Sequence, residues 1–565
     1  MENNRLLLFV AFAAVSFLLW DNWQKDYGPQ PVTPVSQVSE PAQNGGEVPI
    51  ASDVPSAPMA SASSRDASVP EAKSKTVLKR GQRIKIQTDL FNAEIDGIGG
   101  DLRVVELKKY PVSVKTPESP IRLMDDSLPN IFVAQSGFAG KQSKSGNVTT
   151  KSPNHYTNYK AAKNSYRLAE GSDSVNVDLS WTSPDGVHFT KRYVFKRDSY
   201  EVAVQYIIDN KSGKEWRGNS YYQLQRNEST SIEESRFVYS YMGGVIYSPE
   251  KKYQKFNFGD IEDSNLSRDI KDGWAAMIQH YFLAAWIPEA GKNFTYFTRA
   301  INQDERYVIG YKSATEYSVA AGERHNITGR LFVGPKLQNQ LEAIAPGLEL
   351  TVDYGWLTVI ATPIFWLLNK IHGIVGNWGW AVILLTILIK LGFYKLSETS
   401  YKSMANMRRV QPRLVAMKDR YGDDKAKMQK AMMELYKKEK INPLGGCLPI
   451  VVQIPVFIAL YWVLLESVEM RQAPWILWIQ DMSRADPYFI LPVIMGVTML
   501  IQHKLNPTPV DPMQAKMMMI LPLVFTVFFA FFPAGLVLYW VVNNTLSIAQ
   551  QAYITKVVME KKAVT

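Results

Sequence analysis

The stretch GNWGWAVILLTILIKLGFYKL, residues 376–396, decides the fold. It is apolar almost throughout over about 20 residues, the length a helix needs to cross a ~30 Å hydrocarbon core. Yet it carries Lys390. A lysine in hydrocarbon costs roughly 2.5–3.5 kcal/mol on insertion scales, so it faces water, a partner or a functional cavity. Snorkelling is the plainer reading, because Lys390 lies about five residues, or ~8 Å, from the cytoplasmic end of the run. No Asp or Glu lies in the other apolar runs to neutralise it, which favours a hydrated pocket over a buried ion pair. Thr386 is one turn away, and Gln453, Thr498, Gln502, Thr526, Asn543 and Asn544 put further polar groups at membrane depth. Together they suggest a hydrophilic cavity, although each one alone serves equally well as a helix–helix hydrogen bond.

Working outward, further apolar runs cover 448–465, 488–501 and 517–558, and one more lies at the N-terminus. Loop charge orients them. Residues 395–440 hold 13 Lys/Arg against 6 Asp/Glu and are expected in the cytoplasm, whereas 466–487 hold 2 against 4 and are expected outside. Five crossings from an inside N-terminus would leave the basic tail, with Lys556, Lys561 and Lys562, outside. The last run is long enough to cross twice, and Pro533-Ala534-Gly535 is the strongest breaker within it. The expected spans are therefore 1–23, 376–396, 448–465, 488–501, 517–532 and 536–558, with a cytoplasmic tail at 559–565. Two of these are shorter than a bilayer crossing needs, which thins the membrane locally or draws polar flanks inward.

The chain's 565 residues carry a net charge of +10, and its placement agrees with this topology. Residues 1–21, 22–355 and 356–565 contribute −1, +1 and +10. Within the basic loop, expected at 397–441, Tyr401, Met404, Met407, Val410, Leu414 and Met417 recur every three or four residues. Met428, Met432 and Leu435 do so again after a Gly422-Asp-Asp424 break. This spacing predicts an antiparallel helical hairpin with a Met-rich edge and a basic face. Methionines make an adaptable contact surface, but the stripe is equally the seam a hairpin needs for itself.

The N-terminus reads as an uncleaved signal anchor over 1–23: Arg5 precedes an apolar run that ends at Trp20 with no small-x-small cleavage site, and a cleaved signal peptide is the alternative. Residues 24–76, rich in Pro, Ser and Ala, are expected to form a disordered tether. From 77 to 350 the pattern has period two. Val187, Phe189, Tyr193 and Phe195 alternate with polar residues, as do Val202, Val204, Tyr206 and Ile208, which predicts an extracytoplasmic antiparallel β-sandwich. Residues 354–372, apolar and aromatic but interrupted by Pro363, are expected to lie as an amphipathic helix in the outer interface. The fold class is thus a polytopic α-helical membrane protein of six spans with a large outer β domain.

Enzyme signatures are missing: there is no phosphate loop, zinc helix or nucleophile elbow, so neither a catalytic role nor a cofactor is expected. The six histidines are scattered, and one cysteine, Cys447, excludes an internal disulfide or a multi-cysteine metal site. Basic excess beside spans does not call for a nucleic-acid partner, since positive-inside bias already accounts for it. A transporter or channel using Lys390 as substrate counter-ion is the main rival, although no internal repeat supports it. A periplasmic carbohydrate-binding protein with spans as mere anchors would leave Lys390 and the basic hairpin without a purpose.

Several motifs resemble one family. Asn442-Pro-Leu-Gly-Gly-Cys447 with Pro449, Gln453-Ile-Pro455 and Phe457 resembles the third span of the YidC membrane protein insertases. So do 404–412, Arg471-Gln-Ala-Pro474, Asp486-Pro-Tyr488 and Phe532-Pro-Ala-Gly-Leu536, and the similarity covers the whole chain. The resemblance implies a bacterial inner-membrane insertase with a periplasmic domain similar to the mutarotase β-supersandwich. It implies a groove open to cytoplasm and lipid, lined by Lys390, Thr386, Gln453, Thr526 and Asn543. A slide of Ile454, Pro455, Phe457, Phe528, Phe531, Tyr539 and Trp540 would hold the nascent span. Implied partners are nascent membrane proteins, the Sec translocon, the ribosome and membrane lipid, with the hairpin methionines Met404, Met407, Met417, Met428 and Met432 near the recruitment surface. The family's groove cation is typically arginine; lysine keeps the charge but loses the planar fork.

Overall fold

The structure, a computed structural model, describes residues 78–139, 152–228, 241–301, 305–421, 424–439, 441, 448–506 and 512–563. The expected anchor, the tether, the 442–447 motif with Cys447 and the end of the tail lie outside the described residues.

Alternation becomes strand where the pattern has period two. In Val187–Lys196 every second side chain is buried, and the strand pairs antiparallel with Glu201–Asn210 in an unbroken register. An 11-stranded sheet runs from Ser267–Lys271 through Asn293–Ile301, Arg306–Ser313, Trp216–Asn227, Phe132–Ala139, Asp101–Ser113 and Phe91–Asp96 to Arg83–Gln87 and Ser165–Arg167, with Tyr317–Val319 paired to Trp216–Asn227 and Thr116–Met124 paired to Asp101–Ser113 off this path. A nine-stranded sheet runs from Lys252–Phe256 through Gly243–Ser248, Trp274–Ile278, Phe282–Ile287, Arg324–Pro335, Glu201–Asn210, Val187–Lys196 and Ser174–Thr182 to Lys160–Ala161. The sheets pack face to face through aromatic contacts such as Phe138 on Tyr206 and Tyr222 on Trp286. One pair departs from the expected antiparallel pattern: Arg83–Gln87 runs parallel to Ser165–Arg167 at an edge.

The C-terminal region folds into helices α1 (Thr358–Val375), α2 (Trp378–Gly392), α3 (Tyr394–Tyr421), α4 (Lys425–Lys438), α5 (Leu448–Glu466), α6 (Ile490–Leu505), α7 (Pro512–Phe529) and α8 (Ala534–Ala563). Among the described residues one continuous helical segment, Gly355–Val375, is long and apolar enough to cross a membrane, and α2 with α3 passes only as a pair bent by 68°. Two expectations change here. The helix expected at 354–372 continues through Ile374 and Val375 to Gly376, whose left-handed φ of 66° ends it. Asn369 and Lys370 break the apolar run without breaking the helix. Its inner face, with Ala361, Ile364, Phe365, Leu368 and Ile371, is buried, while Val359 and Ile374 remain 85% and 86% exposed, so it is apolar on both sides. The span expected at 376–396 stops at Gly392, and the chain turns at Phe393 into α3.

One apolar core continues from the β domain into the helices through Leu341, Leu348, Val352, Tyr354 and Leu357. Polar contacts fix the junction. Arg471 Nη2 donates to the carbonyls of Pro111 and Val112 at 2.8 and 3.1 Å, and Gln472 Nε2 donates to Pro111 at 2.8 Å. His280 Nε2 lies 3.0 Å from the Leu465 carbonyl, and buried Lys336 faces the Glu466 carboxylate.

Candidate functional site

Lys390 stands in the last turn of α2, one turn beyond Thr386. The start of this helix is fixed from outside. Asn377 caps it by accepting from Trp380 N at 3.2 Å, and its amide donates to the Pro474 and Trp475 carbonyls at 3.0 and 3.3 Å. Gly379 lies so close to Trp475 that a Cβ there would collide with the indole.

Lys390 Nζ donates to Ser547 Oγ at 2.7 Å, and Ser547 Oγ donates to the Asn543 carbonyl at 2.7 Å. Gln453 Nε2 on α5 donates to Asn543 Oδ1 at 2.7 Å. Tyr539, Asn543 and Ser547 follow one another every four residues, so one stripe of α8 gathers polar groups from α2 and α5. A second stripe serves α6: Asn544 Nδ2 donates to Thr498 Oγ1 at 3.3 Å, and Gln551 Nε2 donates to Asn506 Oδ1 at 3.0 Å.

Of the expected groove residues, Lys390, Gln453 and Asn543 join this network. Thr386 is buried and its hydroxyl donates to the Val382 carbonyl at 2.7 Å, so its polar capacity is used within α2. Thr526 does not join this network. Its hydroxyl donates to Pro522 at 2.8 Å and sits against Gly496, where a Cβ would collide with it, so it belongs to the α6–α7 contact. Its bond to Pro522 is the back-bond to the carbonyl four residues earlier that a threonine inside a helix makes. Sequence reasoning missed Ser547. Its spacing of four from Asn543 was the available signal.

The expected slide divides in two. Phe457 stacks on Tyr539 at 5.9 Å and meets Trp540 edge-on at 4.9 Å, while Phe529 bridges Trp540 and Phe528. Tyr539 is only 1% exposed and supports that surface from behind. Ile454, Phe528 and Phe531 are about half exposed, and Pro455 follows Ile454 in α5.

The end of the bundle next to the β domain is covered by residues 467–489. Asp486 accepts from Trp478 Nε1 at 3.0 Å, Tyr488 N at 3.0 Å and Leu491 N at 2.7 Å. The Ala534 and Gly535 amides donate to the Arg484 and Met482 carbonyls at 2.7 and 3.0 Å, which ties this loop to the turn between α7 and α8. Gln472, Leu477 and Phe489 all hold positive φ here, conformations that persist only where the surroundings impose them.

On the opposite side α3 and α4 form an antiparallel hairpin. Val410, Leu414, Leu435 and Ile441 make its core, packed by Met407, Met417 and Met432. Those three methionines are therefore seam residues, whereas half-buried Met404 and Met428 lie outside that cluster. Arg409 and Arg413 pair with Glu439 at 3.0 and 2.7 Å across the two helices. Asp424 caps α4 by accepting from Lys427 N at 3.0 Å, and that contact holds its carboxyl below the usual range. Among the described residues no group of three or more His, Cys, Asp or Glu side chains converges on a metal-sized site.

Comparison with known proteins accounts for nearly all of this chain. Residues 83–367 match the family model for the YidC periplasmic domain, and residues 370–562 match that for the 60Kd inner membrane protein. A relative from Thioalkalivibrio sulfidiphilus, named Membrane protein insertase YidC, is 52% identical over 98% of both chains. Relatives of the same name from Methylococcus capsulatus and Nitrosococcus oceani are 51% and 50% identical, over 100% and 98% of this chain and 100% and 99% of their own.

Proposed function

Because the chain belongs to the YidC membrane protein insertase family, we propose that it inserts newly made proteins into the bacterial inner membrane, with its β domain on the periplasmic side. The proposed topology has six spans: the N-terminal anchor, α2, α5, α6, and α7 and α8 joined by the turn at Pro533. Helix α1 lies in the outer interface, where a helix apolar on both sides suits the boundary between lipid and the bundle.

One observation carries the mechanism: an ammonium at the cytoplasmic end of an apolar helix, held on Ser547 beside the polar stripe of α8. A positive, hydrated groove lowers the cost of moving a short polar, often acidic, segment part-way across. Helices of 15 to 19 residues on this side shorten the remaining path by thinning the bilayer. The nascent apolar span then leaves along Ile454, Pro455, Phe457, Phe528, Phe531 and Trp540. Burying about 20 apolar residues in lipid supplies the free energy, and no nucleotide is needed. The hydrogen-bonded outer loop opposes leakage at the far end. The hairpin is the recruitment element for ribosome-bound clients, and the protein acts alone or beside the Sec translocon.

The test is to deplete the cell's own insertase and follow membrane insertion of a small two-span client, with Lys390 variants as rescue. Arg at this position restores insertion, Ala impairs it and Glu abolishes it. Equal rescue by all three would remove the charged-groove mechanism, and a transport phenotype with normal insertion would favour Lys390 as a counter-ion.

A further inference from the structure

A β-hairpin of the large domain ends beside the helical bundle. Strand Asp101–Ser113 returns as Thr116–Met124, and only Val114 and Lys115 lie between them. A link this short ordinarily carries glycine or asparagine, which accept the turn's backbone at little cost. Here it carries a valine, and both Val114 and Val112 leave much of their side chains uncovered, at 43% and 42% exposure. A local rule broken with no gain in packing marks a functional position. The hairpin is also held in place. Arg471 follows the end of α5 by a single 3-10 turn, Val468–Met470, and its Nη2 donates to the Pro111 and Val112 carbonyls at 2.8 and 3.1 Å. Tyr110 braces the root edge-on against Phe282 at 5.5 Å, and the Arg471 guanidinium lies over the same Phe282 ring at 5.8 Å. The loop that carries Arg471 exposes Leu477 and Tyr488, apolar and aromatic side chains of the kind that sit at a lipid interface.

We propose that this hairpin tip rests in the periplasmic leaflet of the membrane, with Val112 and Val114 among the lipid headgroups and Lys115 on a lipid phosphate, so that the β domain is held to the bilayer at a second place besides its junction with the bundle. Depth carries the argument. In the proposed topology α5 ends at the periplasmic face, so a carbonyl bonded to Arg471 lies at the level of the interface, where lipid rather than water covers an exposed valine. Charge agrees with it. Lys108 is engaged with the Thr88 carbonyl at 2.7 Å and Lys109 with Asp198 at 3.8 Å, so Lys115 is the cation of the tip itself. Glu118 is the one acidic residue between Lys108 and Pro120. A lysine reaches headgroup phosphates on its long stem while the residues beside it stay in the apolar layer. Another strand is a poor occupant for this place. Thr116–Met124 is an edge strand, but Pro117 and Pro120 on it have no N–H to offer a partner. This inference rests on the topology given above.

The experiment uses the full-length protein in vesicles of phosphatidylethanolamine and phosphatidylglycerol, with Cys447→Ser removing the native thiol. Val112→Cys, Val114→Cys and Lys214→Cys, one at a time, carry a polarity-sensitive fluorophore, and nitroxide lipids serve as quenchers. Lys214 is the reference, because it follows Glu201–Asn210, whose Asp209 pairs with Arg324 at the end of Arg324–Pro335 away from the junction. At Val112 and Val114 the emission shifts to the blue and is lost to nitroxide at the headgroup more than to nitroxide deep in the acyl chain; at Lys214 neither happens. Aqueous emission at both tip positions would overturn the proposal. So would a blue shift with no loss to nitroxide lipid, since protein rather than lipid would then cover the tip. Val112→Asp combined with Val114→Asp, read through a label at Lys115→Cys, returns the emission to its aqueous value, and an unchanged emission would show that the valines do not hold the tip. The topology has its own readout: an impermeant maleimide added outside spheroplasts labels Lys214→Cys. Protection there would remove the topology itself, whatever the tip does.

Discussion

Asp486 shows how one side chain can hold a loop in place. It is 1% exposed and accepts three hydrogen bonds, two from backbone amides at the start of α6 and one from the Trp478 indole. Removing the carboxylate leaves one buried and two part-buried donors without an acceptor, which costs more than the net worth of the bonds. Asp486→Ala is therefore expected to destabilise the folded protein by about 2–4 kcal/mol, read as a lower unfolding midpoint in detergent, and to leave 467–489 open to protease. An unchanged midpoint would mean that water takes over the three donors. Lys390 is the contrasting case, since its single bond to Ser547 sets direction more than stability.

Among the elements, the hairpin separates packing from charge. Leu435 is 7% exposed within a small seam, whereas Arg413, paired with Glu439, is 65% exposed on its side chain. Truncating a buried leucine removes transfer energy and leaves a cavity, whereas an exposed ion pair contributes at most about 1 kcal/mol. Leu435→Ala should cost about 2–3 kcal/mol in hairpin stability, and Glu439→Gln under about 1 kcal/mol, measured by hydrogen exchange of α3 and α4 amides. Equal effects would mean that the two helices are held by charge. If the hairpin recruits clients, Leu435→Ala should also slow insertion.

At the scale of the whole molecule the junction between β domain and helices is the sensitive place. Burial, reinforced by Lys336, pushes the His280 imidazole down to about 4. Its folded value lies below its unfolded one, so the neutral ring's contribution is complete above about pH 6.5 and is lost as pH falls toward 4. Lys336, Arg471 and the Glu466 carboxylate face the same spot, and buried Glu469, pushed up to about 7, acts in the opposite sense by gaining stability as pH falls below 7. Protease protection of the junction between pH 7 and 4 separates them. Because the two shifts oppose each other and are of similar size, the native protein should change little on acidification, whereas His280→Gln, left with the Glu469 contribution, should gain protection. Identical profiles would show that His280 does not govern docking.

What could be read from the chain alone was whatever depends on local periodicity or on charge counted along it. Alternation in 187–196 marked strand, three- and four-residue spacing from Tyr401 to Met417 marked helix, and the basic loop set an orientation. The lysine inside 376–396 likewise declared itself through the cost of placing a charge there. Element ends were less legible, because a helix tolerates Asn369 and Lys370 where an apolar run does not, and because the turn at Phe393 depends on what α3 packs against. Partners were not legible at all. Whether Thr526 or Ser547 stands beside Lys390 is decided by which face of α7 or α8 turns inward, a rotation set by contacts such as that of Thr526 with Gly496 on α6. Composition and periodicity determined what each segment had to be. Only the packing of one helix against another, which no single segment contains, decided which polar groups meet.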